Sequence, residues 1–194
     1  TPFLGMRVHE SKVFYMALED SENRLQTRMK QILGSMSFPS KLNVTTSIND
    51  LSNGFIQQLE MVLQEHPDTK LFVIDTLQFI RGKFNRNEGA YSNDYKEMAE
   101  IKKFADSHKV CVLVIHHSRK DTNPSDAFAN ISGTNGITGA MDTMIVLSKE
   151  ERMSKQTKMS VCGRDVEQGE YIIEMTNGKW RLIATEEEEI ENTK

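Results

Sequence analysis

Leu71-Phe72-Val73-Ile74-Asp75-Thr76 is the stretch that decides how the chain is read. Four apolar residues in a row end in a carboxylate followed by a hydroxyl. Such a run predicts a strand covered on both faces, as in a parallel sheet. Downstream, a polar, Gly-containing stretch over 82–93 leads to a helical stripe of Tyr95, Met98, Ile101, Phe104 and Ala105. A second apolar strand, Val110 to Ile115, follows and ends in His116-His117. Strand, crossover helix, strand is the βαβ pattern, and these crossovers are almost always right-handed.

Upstream, Val13 to Leu18 reads as a strand ending in Glu19-Asp20-Ser21. Ser21 or Asp20 can cap a helix carrying Leu25, Met29, Ile32 and Leu33 at helical spacing. Leu42 to Thr46 is a weaker strand. After Asn49-Asp50 comes a helix with Phe55, Ile56, Leu59, Val62 and Leu63 on one side, punctuated by Pro67 and Asp68. Beyond His117 the pattern changes. Residues 118–139 form a long polar, Gly-rich loop with room for a short helix, and Thr143 to Leu147 is a further strand. Met159 to Cys162, Tyr171 to Met175 and Trp180 to Ile183 are short strands, the last two joined by Asn177-Gly178, a strong hairpin signal. The fold class expected is α/β: a mostly parallel sheet with helices on both faces and antiparallel strands added at the C-terminal edge. Residues 1–185 are expected to form that core, and 186–194 a solvated acidic tail.

Composition narrows the function. The chain has 194 residues, with 38% apolar and 27% charged, which excludes a collagen-like or broadly disordered protein. Lys plus Arg is 24 against 28 Asp plus Glu, a net charge of −4, so a wholly basic nucleic-acid coat is excluded while a local basic loop is not. No apolar run reaches the roughly 20 residues of a membrane span, and no signal peptide is visible. Cys111 and Cys162 sit in apolar strand-like runs and read as reduced core residues of a cytoplasmic protein.

In an open parallel sheet, ligands bind beyond the carboxyl ends of the strands. Three strands here end in useful chemistry: Glu19, Asp75 with Thr76, and His116-His117. A carboxylate beside a hydroxyl suits Mg²⁺ held through water next to a phosphate. A second carboxylate can orient an attacking water, and an imidazole can contact a phosphate oxygen. Alternation puts His116 and His117 on opposite faces, so one of them is free for a site. Glu19-Asp20 also reads as a helix-capping pair. A metal-dependent hydrolase built on Asp75 and the His pair is the other enzymatic reading. It lacks a second His at metal-ligand spacing. Together the strand ends point to nucleotide hydrolysis.

A phosphate-binding loop of the form G-x-x-x-x-G-K-[ST] is absent. Gly133-x-x-Gly136-x-x-Gly139 lacks the Lys-Ser/Thr pair and reads as a loop-to-helix turn.

These residues resemble a known family. Val13 to Ser21 with Arg24-Leu25-Gln26, Leu71 to Leu77 with Arg81-Gly82, Val114 to Lys120, Ile131 to Thr134, Gly139 to Thr143 and Gly163-Arg164-Asp165-Val166 are similar, in order, to the motifs of RepA-like ATPases of the RecA superfamily. That family includes hexameric replicative helicases of plasmids and related ATPases of phages and mobile elements. The resemblance implies a RecA-like three-layer fold, ATP and Mg²⁺ as ligands, and a homo-oligomeric, hexameric ring acting in DNA replication or mobile-element maintenance. It implies that Glu19 is the base that polarises water and Asp75 the Walker B partner of Mg²⁺, with Thr76 beside it. His117 would be the γ-phosphate sensor, with His116 the alternative. Arg164 would be an arginine finger acting on the neighbouring subunit's nucleotide; an ordinary surface ion pair is its other reading. Thr1-Pro2-Phe3-Leu4-Gly5 resembles the segment just after the P-loop helix, so the chain is expected to be a fragment that alone binds ATP weakly and hydrolyses it hardly at all. The loops 82–93 and 118–130 correspond to those facing the channel of related rings. Lys83 and Arg86 in the first, and Arg119 and Lys120 in the second, are the candidate contacts to single-stranded DNA; solvated loops are the alternative. A non-catalytic oligomerisation or DNA-binding module that kept the fold without a P-loop is the rival from another class.

Overall fold

The computed structural model describes residues 3–118, 126–131, 134–149, 151 and 153–185. They fall into two compact units, one built from Glu10–His117 with Ser132–Ala140, the other from Thr1–His9, Ser118–Ile131 and Met141–Lys194.

The first unit holds a parallel sheet of β1 (Lys12–Ala17), β2 (Leu42–Thr45), β3 (Thr69–Asp75) and β4 (Cys111–Ile115) in the order β2-β1-β3-β4. Its helices are α1 (Glu22–Leu33), α2 (Phe55–Glu65), α3 (Leu77–Ile80), α4 (Ala90–His108) and α5 (Asn135–Gly139). Local chemistry explains their starts. The Ser21 hydroxyl accepts the Arg24 amide at the head of α1, and Thr134 accepts Gly136 N–H at the head of α5. Asn49-Asp50 leads first into a 3-10 turn, Leu51–Asn53, and only then into α2. One sheet face is filled: Phe72 packs edge-on against Phe104 of α4 with ring centroids 5.5 Å apart, and Met16, Ile74, Met98 and Ile101 are buried. Alternation sends the next residues of each strand to the opposite face.

β4 departs from expectation. It is the edge strand of this four-stranded sheet, and Cys111, Leu113 and Ile115 are exposed along one face. Cys111 is therefore a solvent-facing thiol and not a core residue, because only the other side of β4, Val112 and Val114, turns inward. Cys162 is half-buried, and both cysteines are free thiols.

The second unit is an antiparallel sheet of β5 (Thr143–Ser148), β6 (Gln156–Gly163), β7 (Gly169–Thr176) and β8 (Lys179–Thr185) in sequence order. The expected antiparallel strands are all present and hydrogen-bond to one another as a sheet of their own. Asn177 and Gly178 both take positive φ, 52° and 75°, which is the hairpin turn that Asn-Gly favours. Leu4 and Gly5 do the same at φ 47° and 81°, closing a tight turn in which Phe3 and Met6 exchange hydrogen bonds. That turn drives Leu4 into the core of this unit against Met159 and Ile173, with Val161, Tyr171 and Trp180 around them. Among the described residues no helix is long and apolar enough to cross a membrane. The expected acidic tail, 186–194, lies outside the described residues.

Candidate functional site

Register, more than proximity in sequence, assembles the site. Ala17 of β1 pairs with Asp75 of β3, and Asp75 pairs with Ile115 of β4. The three strands run parallel, so all three chains leave the sheet at one rim. Leu18 N–H continues the ladder by donating to the Asp75 carbonyl at 2.7 Å. Glu19 and His117 each lie two residues beyond a paired residue. By alternation both project from the side of the sheet that carries Tyr15 and Asp75. Strand parity thereby separates the histidines: His117 joins Glu19, and half-buried His116 belongs to the opposite face.

Glu19 is the hub of the rim. Its Oε1 accepts a hydrogen bond from the Thr76 hydroxyl at 3.1 Å and lies 3.2 Å from His117 Nε2. These two partners, His117 first, hold its carboxyl below the usual carboxylate range. Glu19 is thus an anion with a defined orientation at neutral pH. His117 remains largely exposed, with 67% of its side chain open to solvent, so the imidazole that meets Glu19 is also open to an incoming ligand. Thr76 is buried and follows Asp75 through a cis peptide bond. Asp75 Oδ2 accepts from the Tyr15 hydroxyl at 2.6 Å. Asp20, read as half of a capping pair, instead binds Arg24 at 3.3 Å and Arg28 at 2.5 Å, leaving the cap to Ser21.

A second cluster ties the polar stretch after β3 to α4 and α5. Asp94 of α4 accepts Arg81 Nη2 on one oxygen, and on the other the Thr134 amide at 3.0 Å and its hydroxyl at 2.7 Å. Arg81 Nε also donates to Glu97 at 2.9 Å, and Glu97 accepts Gly82 N–H at 3.0 Å. Burial opposes the charge on all three. For Asp94 the Thr134 and Arg81 bonds outweigh it and hold the carboxyl low; for Glu97 burial wins and pushes the carboxyl up. The same partners raise Arg81 further against its burial. Gly136 seals the arrangement: a Cβ there would lie 2.5 Å from the Tyr91 carbonyl and 2.9 Å from the Tyr95 amide, so only glycine lets α5 approach the α4 backbone this closely. Gly136 therefore serves packing.

The stretch 82–93 is well tied. The Asn93 side chain accepts Asn85 N–H and donates to the Asn85 and Gly89 carbonyls, Lys83 N–H donates to Ser52, and Lys96 pairs with Glu88 at 2.6 Å. Lys83 and Arg86 remain exposed on it. Arg119 and Lys120 lie outside the described residues. Arg164 is in the second unit, where its backbone N–H donates to the Asp142 carbonyl at 2.9 Å and its guanidinium lies 3.6 Å from the Asp142 carboxylate. That side chain is 61% exposed.

Tyr15, Asp94 and Glu97 carried no functional expectation. Tyr15 read only as a strand former, though its spacing to Glu19 places both on one strand face. Nothing local marks Asp94, whose partners are 13 and 40 residues away in the sequence.

Residues 1–123 match the model of an AAA domain family. The chain belongs to that family. No curated protein sequence matches it. Among solved structures, an ATPase domain aligns over 90% of this chain and 75% of its own, with 14% identity and a TM-score of 0.72. A DnaB-like replicative helicase, described with its interactions with primase, covers 90% of this chain with 13% identity and a TM-score of 0.73. The RadB recombinase covers 90% of this chain and 80% of its own, with 15% identity and a TM-score of 0.56. This AAA domain thus has the RecA-like fold of helicase and recombinase ATPase domains. It aligns with only 52% of the DnaB-like helicase chain.

The donors at the rim suit Mg²⁺ better than a transition metal. Among the described residues, no three His, Cys, Asp or Glu side chains converge to hold a metal. Mg²⁺ keeps several waters and takes one or two carboxylates plus substrate phosphates. Asp75 beside the Thr76 hydroxyl offers that kind of donor set. A transition-metal centre on Asp75 and the His pair is disfavoured, because alternation sends the two imidazoles to opposite faces.

Proposed function

We propose that this AAA domain is the C-terminal part of a RepA-like, ring-forming ATPase that hydrolyses MgATP and acts on single-stranded DNA in plasmid or phage replication. The observation that carries the reading is the shared rim: Glu19, Thr76 and His117, from three parallel strands, joined by hydrogen bonds beside Asp75. Glu19, anionic and held by two partners, is the base that orients the attacking water. His117 Nε2 is positioned to exchange its contact with Glu19 for a phosphate oxygen, so the imidazole reports whether that oxygen is present. Asp75, with Thr76, is the partner of Mg²⁺, which when bound neutralises charge between the phosphates. Arg164 is the candidate finger for the neighbouring subunit's nucleotide in a hexameric ring. The pair with Asp142 is its resting contact.

The phosphate-binding loop belongs, in this reading, to a segment outside the 194 residues. The exposed apolar face of β4 supports it: Cys111, Leu113 and Ile115 line an edge strand of a parallel sheet, where strands are normally covered on both faces. These residues alone therefore bind ATP weakly. Lys83 and Arg86 are the described candidates for DNA contact, with Arg119 and Lys120 assigned by sequence only. The protein would act in the cytoplasm.

The test is ATP turnover by the full-length protein with and without single-stranded DNA. Glu19→Gln is expected to lower kcat by about 10²–10⁴-fold, the usual worth of a positioned base, with nucleotide binding retained. Absence of ATP turnover in the full-length protein removes the ATPase assignment, and unchanged turnover in the variant removes Glu19 as the base. Loss of turnover in the variant alone, with no response to DNA, leaves the ATPase and removes the DNA partner.

A further inference from the structure

We infer that Tyr15 is a positioning residue for Asp75: its phenol fixes the carboxylate so that one oxygen is free for a divalent cation. The inference rests on Asp75 being the cation's carboxylate. It goes further by assigning a function to a residue on the neighbouring strand.

The geometry begins with the ladder. Tyr15 pairs with Val73 and Ala17 with Asp75, so Tyr15 and Asp75 are diagonal neighbours on one sheet face. An aromatic side chain spans such a diagonal. The phenol oxygen reaches Asp75 Oδ2 at 2.6 Å, within the range of a short O–H···O⁻ bond to a charged acceptor. A lone carboxylate at a strand end rotates about its terminal torsion, and either oxygen can face the rim. A donor bound to Oδ2 restrains that torsion, which would leave Oδ1 as the oxygen offered to a cation.

The direction of donation is set by the two groups themselves. An ionised carboxylate only accepts and a phenol ordinarily ionises at about pH 10, so at neutral pH Tyr15 is the donor and Asp75 the acceptor. The charged groups that act on it are Asp75, Asp20 of the β1–α1 connection and Arg28 of α1. Arg28 is engaged by Asp20, leaving the phenol as the donor that reaches Asp75. Carboxylates that hold metals are commonly oriented by such an outer partner, and loss of the partner typically weakens metal affinity or activity by about 10–100-fold.

The experiment is a Mn²⁺ titration of the full-length protein, read by electron paramagnetic resonance with a non-hydrolysable ATP analogue bound. Tyr15→Phe deletes only the hydroxyl. It is expected to weaken Mn²⁺ binding by about 10–100-fold while analogue affinity measured without metal stays unchanged. Tyr15→Phe in an Asp75→Asn background should add nothing further. In turnover, the Mg²⁺ half-saturation should rise while the KM for MgATP holds. If Asp75→Asn weakens Mn²⁺ binding and Tyr15→Phe does not, the positioning inference is overturned and the Asp75 assignment stands. If Asp75→Asn leaves Mn²⁺ binding unchanged, the assignment itself falls and takes the inference with it. A second measurement needs no variant of Tyr15: the phenol hydroxyl proton should be slowly exchanging by NMR in the wild-type protein and lost in Asp75→Asn. Fast exchange in the wild type would overturn the geometry directly.

Discussion

Replacing Asp94 by Asn probes the cluster that ties the stretch after β3 to α4 and α5. The Asp94 side chain is 5% exposed and accepts three hydrogen bonds, one from a guanidinium and two from Thr134. Asn keeps one acceptor oxygen for Thr134 but turns an amide N–H₂ towards Arg81, setting donor against donor. A hydrogen bond to a charged group is worth about 1.5–3 kcal/mol. Breaking a fully buried ion pair costs about 3–5 kcal/mol. Arg81 keeps Glu97, so the guanidinium is not stranded and the cost stays below that upper range. The expected loss is about 2–3 kcal/mol, which is roughly a 30- to 150-fold rise in local opening. Hydrogen exchange reads it: amides of residues 134–140 and of the first turns of α4 should exchange faster by that factor, while β6 to β8 are unaffected.

The pH dependence carries a sign. The Asp94 carboxyl is held low by its partners, so its contribution is present above the unfolded value of about 3.9 and is lost as pH falls through the lower native value. Glu97, raised by burial, contributes with the opposite sign: its share is present in acid and lost as pH rises through its native value. Asp94 is one of the charges that raise Glu97, so Asp94→Asn also weakens the Glu97 contribution, and the acid limb is where the loss of Asp94 itself is read. The Asp94 share of the gap should hold from pH 7 to about 4 and close in stronger acid. A gap below about 0.5 kcal/mol at pH 7, a value ordinary for surface substitutions, would mean that Asp94 does not hold α5 and the stretch after β3 to α4.

Three further outcomes follow from the same packing. Gly136→Ala places a Cβ 2.5 Å from the Tyr91 carbonyl, so α5 must move; the overpacking should cost about 1–3 kcal/mol, measured by urea denaturation. Leu4→Ala empties a buried position against Met159 and Ile173 and should cost about 2–5 kcal/mol, read by fluorescence of Trp180, the single tryptophan, which packs on the same cluster. Charge reversal at Lys83 and Arg86 in the full-length protein should weaken single-strand binding and flatten its salt dependence by about 0.7 in log–log slope for each lost phosphate contact. Unchanged binding would return that loop to an ordinary solvated role.

Much of the architecture was legible residue by residue. The apolar run ending in Asp75 predicted a parallel strand, and the period-3.6 stripe of Met98, Ile101 and Phe104 predicted α4. Asn177-Gly178 predicted the last hairpin turn. Those readings succeed because they rest on local backbone preference and on patterns within one element. Cys111 shows the limit. An apolar strand is normally an inner strand, but whether it is one depends on its neighbours, and here β4 is an edge. Leu4 shows the reverse: a residue near the start, with no periodic context, becomes core because Leu4 and Gly5 adopt positive φ and turn it into the antiparallel sheet.

By itself the sequence determined which side chains end the strands, and hence that two carboxylates, a hydroxyl and an imidazole were available for one rim. Alternation within a strand is local, so it also settled that Tyr15 shares a face with Glu19, and His117 a face opposite to His116. The tertiary structure alone decided the pairing of Ala17 with Asp75 and of Asp75 with Ile115. Register between strands is a non-local property, set by how the sheet and its helices pack together. That register turned the shared faces into the hydrogen bonds of Glu19 with Thr76 and His117 and of Tyr15 with Asp75. The clasp of Arg81, Asp94 and Thr134 has the same origin: its members are distant in sequence and meet only because α4 and α5 pack backbone to backbone at Gly136.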